Sequence, residues 1–331
     1  MLLLCIVFIS LFEEVYGFNL NYITTESRIG NIVDHCYVKN SRFAFLVSTT
    51  GNGGAIYVSS VAINILIEKT LFYSCSVPSG YHGGGIYFKS STGASFLSEV
   101  CGFNCSDISS TRTHGAHFGF IETSPTKINK IVMSSLSKCP AVYNGGDLVL
   151  YLSNGIQEVE NFNTSHNRCR YYSGIYINQC QTHTSKYCTI SHNYVQTGIC
   201  IEIYYSSNSV NMSRYNIIGN NSPSNAVVWI NNGQVFLHNS IFVDNLNTII
   251  HVYSGKMVII DCNIIHSGYS PGAGQVLINC TTTGYVTFIP IYHYQTRGCD
   301  SNFTKTNLNT YSLGLINRIV FKFLLSNLIN F

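Results

Sequence analysis

Two identical Ser-His-Asn triplets place His166 and His192 at the same point of successive chain segments. Imidazole nitrogens bind zinc or copper, so a recurring histidine raises the question of a metal site. Asp244 and His266 occupy the corresponding position further along, with Gly219 between. One surface position recurring along a repeat accounts for the same pattern, and no metal ligand is assigned. Cys75, Cys105 and Cys139 also share a position. A thiolate nucleophile needs a partnered base, which the local sequence does not supply, so an interior stack of small buried thiols is expected. Cys101 and Cys105 are the closest cysteines, and no matching Cys or His pair follows them as a zinc site requires.

Carboxylates are scarce. Beyond the first 17 residues there are Asp34, Asp107, Asp147, Asp244, Asp261, Asp300 and seven Glu. Glycoside hydrolysis needs two acids converging within about 5 to 10 Å, and a calcium-dependent lyase needs several together as oxygen ligands. Asp244 and Asp261 fall at different points of the repeat, and no acidic cluster is visible. No catalytic residue and no cofactor are assigned. A polysaccharide lyase or glycoside hydrolase is kept as the alternative to a binding protein, with a structural coat element as a third reading. The 23 tyrosines include Tyr171-Tyr172 and Tyr204-Tyr205, pairs that could stack on sugars or anchor a protein partner.

These residues are carried by an uncharged-polar chain of 331 residues, with 18 basic and 15 acidic side chains and 10% charged overall. A net charge of +3 over this length makes no electrostatic footprint for nucleic acid. With 46% hydrophobic residues and only 6 Pro, the chain can bury a large core. Leu2 to Phe12 is an apolar run at the amino terminus, too short to span a bilayer, and reads as a signal peptide over residues 1–17. Glycosylation acceptors occur at Asn104, Asn163, Asn211, Asn220, Asn279 and Asn302. Twelve cysteines follow the leader, an even count that permits disulfides in an oxidising compartment. A secreted or cell-surface protein is expected.

The repeat is the strongest signal. Gly53-Gly54-Ala55-Ile56-Tyr57 recurs thirty residues later as Gly83-Gly84-Gly85-Ile86-Tyr87. Weaker copies align on His117, Leu148, Ile175, Ile199, Val227, Ile249 and Val276, with gaps of 22 to 31 residues. A second anchor follows each short apolar strand, at Cys75, Cys105, Cys139, Asn167, Asn193, Asn220, Asn245 and Ser267. First anchor to second spans 18 to 22 residues, whereas second anchor to next turn varies from 4 to 12. One arc is held nearly constant while the other absorbs length variation, as in a parallel β-helix whose stacked strands keep register and whose loops do not. Alternation agrees, in Ile201 and Ile203 around Glu202 and in Val258 and Ile260 around Ile259. Asn at the second anchor suits a bend, since it tolerates left-handed backbone and its amide can bond along the stack; Gly before the first anchor suits re-entry of the loop. A leucine-rich repeat would need helical runs that are missing, and a sandwich of hairpins is the remaining competitor.

The fold expected is therefore all-β, one single-stranded parallel β-helix of about nine to eleven turns over residues 18–290, followed by a trailing turn and apolar cap over 291–331. The tail Leu313 to Phe331 is broken by Arg318 and Lys322, which makes it a weak membrane span and a better cap.

Gly53 to Ile56, Gly83 to Ile86 and Phe242-Val243-Asp244-Asn245 resemble the GGA[ILV] and F-x-x-N repeats of the polymorphic membrane protein family. Its members are surface or secreted right-handed β-helices of the pectin-lyase-like class. The resemblance covers roughly residues 50 to 280. It implies a right-handed winding, adhesion or display at a cell surface, and membrane retention through a C-terminal segment, from which the short charged tail departs. The expected function is non-enzymatic recognition of a host or matrix ligand, protein or glycan, by a monomer, with the loops Ser76 to Gly83 and Ser106 to His114 as contact candidates.

Overall fold

The computed structural model describes residues 21–23, 28–30, 35–59, 63–78, 80–107, 115–140, 147–206, 208–265 and 269–281. The expected leader 1–17, the segment 291–331 with Asn302, the repeat positions His266 and Ser267, and most of the loop Ser106 to His114 lie outside them. The described chain is all-β, with strands paired in parallel and stacked as a β-solenoid. Each turn visits three faces in order.

Face A contains Ile56–Ser59, Ile86–Lys89, Ala116–Glu122, Leu148–Ser153, Tyr172–Asn178 and Ile199–Tyr204. It continues through the middle of Asn221–His238 and the start of Leu246–Ile264 to Tyr269–Pro271. Face B runs from Asn21–Ile23 and Cys36–Lys39 through Ile65–Glu68 and Ser95–Ser98 to Thr182–Lys186, Ser209–Ser213 and finally Gln275–Thr281. Face C stacks Arg42–Ala44, Leu71–Tyr73 and Cys101–Phe103 under Thr189–Ser191, Asn216–Ile218 and Ile241–Val243. Ile128–Ser137 and Ile156–Ser165 each cross from face B to face C within one strand. Turns complete on all three faces run from Ile56 to Ile264 and number fewer than the nine to eleven expected, because the sequence count included the irregular ends.

Side-chain alternation sends every second residue of each strand inward. On face A, Ile175, Ile201 and Val228 stack inside, as do Ile177, Ile203 and Ile230; faces B and C contribute Val159, Leu237, Phe72 and Phe242 to the same continuous core. Each such side chain contributes about 1.5–3 kcal/mol on burial. Around Ile259 the inner residue is Ile259 itself, with Val258 and Ile260 half-buried on the outside.

Three bends separate the faces, and two of them turn on one left-handed residue per turn. Between faces B and C this residue is Asn40, Lys69, Glu99, Met133, Asn161, Tyr187, Arg214, Asn239 or Asp261; between C and the next A it is Phe45, Ser74, Asn104, Lys138, His166, His192, Gly219 or Asp244. The left-handed position is thus one residue before the second anchor. The anchor asparagines are therefore not the left-handed residues themselves, but their amides do bond along the stack as expected. Their side chains form a ladder inside the bend: Asn167 Nδ2 donates to Asn193 Oδ1 at 3.0 Å, Asn193 Nδ2 to Asn220 Oδ1 at 3.2 Å and Asn220 Nδ2 to Asn245 Oδ1 at 3.0 Å. Backbone amides join it, since the N–H of Asn167 also donates to Asn193 Oδ1.

The paired glycines act differently from one another. Gly53 and Gly83 are left-handed, at φ 69° and 75°. Gly54 and Gly84 are needed because adjacent turns touch there: a Cβ on Gly54 would lie 2.1 Å from the carbonyl oxygen of Gly84, and one on Gly84 would lie 2.3 Å from that of His117.

The first-anchor alignment needs correction after the second turn. Ile86 pairs with Gly119 rather than His117, Gly119 with Leu150, Ile175 with Ile201, Ile201 with Val228, and Val228 with Ile250. β-Bulges explain the slip: Ala116, Leu148, Tyr172 and Ile199 pair with each other before the bulge, and the register then shifts. Val276 lies on face B, paired with Met257.

Candidate functional site

The outward-facing partner of the inner isoleucines on face A is a single register column: Tyr57, Tyr87, Phe120, Tyr151, Tyr176, Glu202, Trp229 and His251. Strand spacing of about 4.8 Å brings consecutive rings into stacking range. Tyr57 and Tyr87 stack at 5.6 Å, Tyr87 and Phe120 at 5.1 Å, Phe120 and Tyr151 at 4.5 Å, and Tyr151 tilts against Tyr176 at 5.4 Å. His82 lies over Phe120 at 5.1 Å. With Ala116, Leu148 and Tyr172, these rings form a second apolar cluster outside the solenoid core.

Glu202 interrupts the column. It is 4% exposed, between register partners Tyr176 and Trp229. Tyr172, brought alongside by the bulge, stacks on Tyr176 at 4.5 Å and hydrogen-bonds the Glu202 carboxyl. Tyr204 lies 6.2 Å from Tyr176 and meets the exposed Tyr205 edge-on at 4.4 Å. Oε2 of Glu202 is buried without a hydrogen-bond partner. Burial raises the carboxyl's pKa to about 7, the Tyr172 hydroxyl partly opposing the shift. The phenols of Tyr172 and Tyr176 are pushed up in turn, by burial first and then by the neighbouring Glu202 charge.

Beyond Glu202 the column opens to solvent. Trp229 stacks on His251 at 3.9 Å and lies 6.3 Å from Tyr253, which is exposed. At the nearby corner between faces A and B, directly after Tyr205, a cavity of about 830 Å³ is lined by Ser206, Asn208, Ser209, Asn232, Gly233 and Gln234. Hydroxyl and amide groups therefore adjoin exposed aromatic rings, a pairing that suits polar, ring-shaped ligands.

The residues singled out from sequence fall elsewhere. His166 and His192 stack in parallel at 5.1 Å, 8° between planes, on the outside of the C-to-A bend. Imidazole lone pairs lie in the ring plane, so parallel rings this far apart do not converge on one ion. Asp244 belongs to the same bend and Asp261 to the B-to-C bend. Among the described residues, no group of three or more His, Cys, Asp and Glu could hold a metal. Cys75, Cys105 and Cys139 are buried and free, their thiols donating to backbone carbonyls such as Cys75 to Phe43 at 3.4 Å. Six further buried cysteines also form no disulfide, while Cys101 is disulfide-bonded to none of these nine. Burial pushes the thiols of Cys36, Cys188 and Cys200 up to about 12, which keeps them protonated and unreactive.

Two of the glycosylation candidates are buried. Asn220 belongs to the inner ladder, and Asn163 is 1% exposed with its amide donating to Ser135 Oγ at 3.0 Å. A glycan on either would disrupt the stack. Asn211 is exposed and Asn104 half-buried at the surface. The side chains of Asn279 and Asn302 are outside the described residues.

The tyrosines are visible in the sequence, but their column is not. The usable signal was the residue after the first anchor, since Ile56-Tyr57, Ile86-Tyr87 and Ile175-Tyr176 repeat the same dipeptide. No protein family, curated protein or solved structure matches the chain.

Proposed function

We propose that the protein is a non-enzymatic recognition protein, secreted or displayed at a cell surface, that binds a host or matrix glycan at the solvent-open end of the outer column of face A. The single observation behind this reading is the register column of rings from Tyr57 to Tyr176, resumed after Glu202 by Trp229 and His251, whose end opens beside a corner cavity of hydroxyls and amides. Aromatic faces pack on the apolar faces of sugar rings, and fixed polar groups select among hydroxyl patterns. A rigid solenoid presents both at constant spacing and loses little conformational entropy on binding. The repeat motifs support placing the chain with the polymorphic membrane proteins, with their right-handed winding and adhesive role.

The test is binding of the purified full-length chain to an array of glycans, with Trp229→Ala and Tyr205→Ala variants alongside. The expected outcome is retention on a restricted set of glycans, weakened by about tenfold or more in either variant, with no new reducing ends or unsaturated sugars. Turnover of a retained glycan would replace this reading with the lyase or hydrolase alternative; retention unaffected by both variants would remove face A from the interface. Surface labelling of intact cells, with assay of the medium, tests the localisation.

A further inference from the structure

The outer faces of the solenoid neutralise their glutamates with lysines one turn away. Lys39 pairs with Glu68 at 3.5 Å, Lys89 with Glu122 at 3.1 Å, Lys130 with Glu158 at 2.9 Å and Lys186 with Glu160 at 3.3 Å. Glu202 breaks the rule. It has no ion pair among the described residues, and the two register positions where a lysine would stand hold Tyr176 and Trp229. A carboxylate taken out of water without a countercharge is costly, and one oxygen here also lacks a hydrogen bond.

We propose that Glu202 and the rings of Tyr172, Tyr176, Tyr204 and Trp229 form a subsite for an alkylated ammonium group supplied by a ligand. Ring faces carry negative electrostatic potential and attract cations, most effectively those whose alkyl groups make desolvation cheap. Trp229 is the strongest such ring, and His251 stacked behind it at 3.9 Å holds its plane. Tyr172 and Tyr176, stacked at 4.5 Å, provide a second wall, and the carboxylate between the walls supplies the countercharge. Tyr204, half-buried with its ring 6.2 Å from that of Tyr176, is the outer wall.

The groups coupled to Glu202 are Tyr172 and Tyr176 from the preceding turn and Tyr204 at the end of its own strand, with Trp229 its register partner in the following turn; Tyr171 and Asp147 act on Tyr172, Tyr205 acts on Tyr204, and His251 stacks on Trp229. The phenols of Tyr172, Tyr176 and Tyr204 are shifted up and His251 is shifted down, so Glu202 is the group whose charge changes around neutrality. Ammonium binding therefore strengthens as pH rises from 6 to 8.

This subsite goes beyond glycan recognition and is tested without glycans. Trp229 is the chain's one tryptophan, so its fluorescence reports directly on the site. Choline is titrated into the full-length protein at pH 8 and pH 6, with 3,3-dimethylbutan-1-ol as the uncharged isostere. A saturable signal is expected for choline, weaker by about tenfold for the isostere, for Glu202→Gln and at pH 6. No saturable signal, an equal response to the isostere, or undiminished binding by Glu202→Gln would overturn the proposal. If Glu202→Gln loses its β-sheet circular dichroism, Tyr204→Ala in the outer wall serves in its place, with the same weakening expected and undiminished binding overturning it. Phosphocholine and trimethyl-lysine titrations then separate a headgroup source from a methylated-peptide source. A choline failure leaves glycan retention intact, and a glycan failure leaves the choline titration standing.

Discussion

Gln157 and His183 are register partners on the inner side of face B, and the polar chain along the stack changes direction between them. Ser95 Oγ lies 2.5 Å from Asn129 Oδ1, and Asn129 Nδ2 donates to Gln157 Oε1 at 2.8 Å. His183 instead turns to its own strand, with Nε2 at 2.9 Å from Ser185 Oγ, which also accepts from the Tyr215 hydroxyl at 2.7 Å. Its Nδ1 is buried without a partner.

Burial lowers the His183 pKa from 6.5 to about 3. The folded protein therefore keeps this ring neutral while the unfolded chain takes up a proton below pH 6.5. Stability contributed by the neutral ring is present above pH 6.5 and lost as pH falls toward 3, on the order of 4 kcal/mol at the lower end. His183→Leu is expected to remove this loss, so that urea midpoints at pH 4 rise relative to the parent while those at pH 7.5 change little. Equal pH dependence in the two proteins would show that another group drives acid unfolding.

Glu202 works in the opposite direction. Its folded pKa of about 7 lies above the ordinary 4.5, so the folded state holds a proton that the unfolded state has released. The stability this contributes is complete below pH 4.5 and falls as pH rises through 7. Glu202→Gln should match the parent at pH 4 and exceed it at pH 8 by on the order of 3 kcal/mol, read from denaturant melts at the two pH values.

The amide ladder predicts a large local cost. Asn193→Ala removes the acceptor for both the backbone N–H and the side chain of Asn167, and removes donors to Asn220 Oδ1 and to the Thr164 carbonyl. Several buried groups are left unsatisfied at once, and a loss of about 3 kcal/mol is expected. Chemical unfolding checks the value; a loss below about 1 kcal/mol would mean that water replaces the ladder.

Contact between turns distinguishes two glycines. Gly84→Ala places a methyl against the His117 and Ser106 carbonyl oxygens at 2.3 and 2.5 Å, with backbone on both sides and nothing able to give way. Gly119→Ala meets only side chains, the nearest being Leu150 at 3.1 Å. Gly84→Ala should unfold or become protease-sensitive at 37 °C, while Gly119→Ala should retain the parent's circular dichroism and lose about 1 kcal/mol or less.

The fold was legible in the sequence because its period is written in bends. A left-handed residue followed by Cys or Asn must recur once per turn, whatever the loops do, so the second anchors from Cys75 to Asn245 all fall in register in the structure. The paired glycines at residues 53–54 and 83–84 were readable for the same local reason. The first anchor drifted at His117, Leu148 and Ile199 because bulges add residues within a strand without altering its composition.

Only the tertiary structure decided what those strands present. A tyrosine one residue after an isoleucine is an ordinary strand pattern until register stacks it on the tyrosines above and below. Glu202 is an ordinary outward glutamate in sequence, and becomes a buried, unpaired carboxyl because neighbouring turns supply Tyr176, Trp229 and the bulged Tyr172. Burial and countercharge are properties of residues far apart in the chain, whereas turn length is a property of residues close together in it.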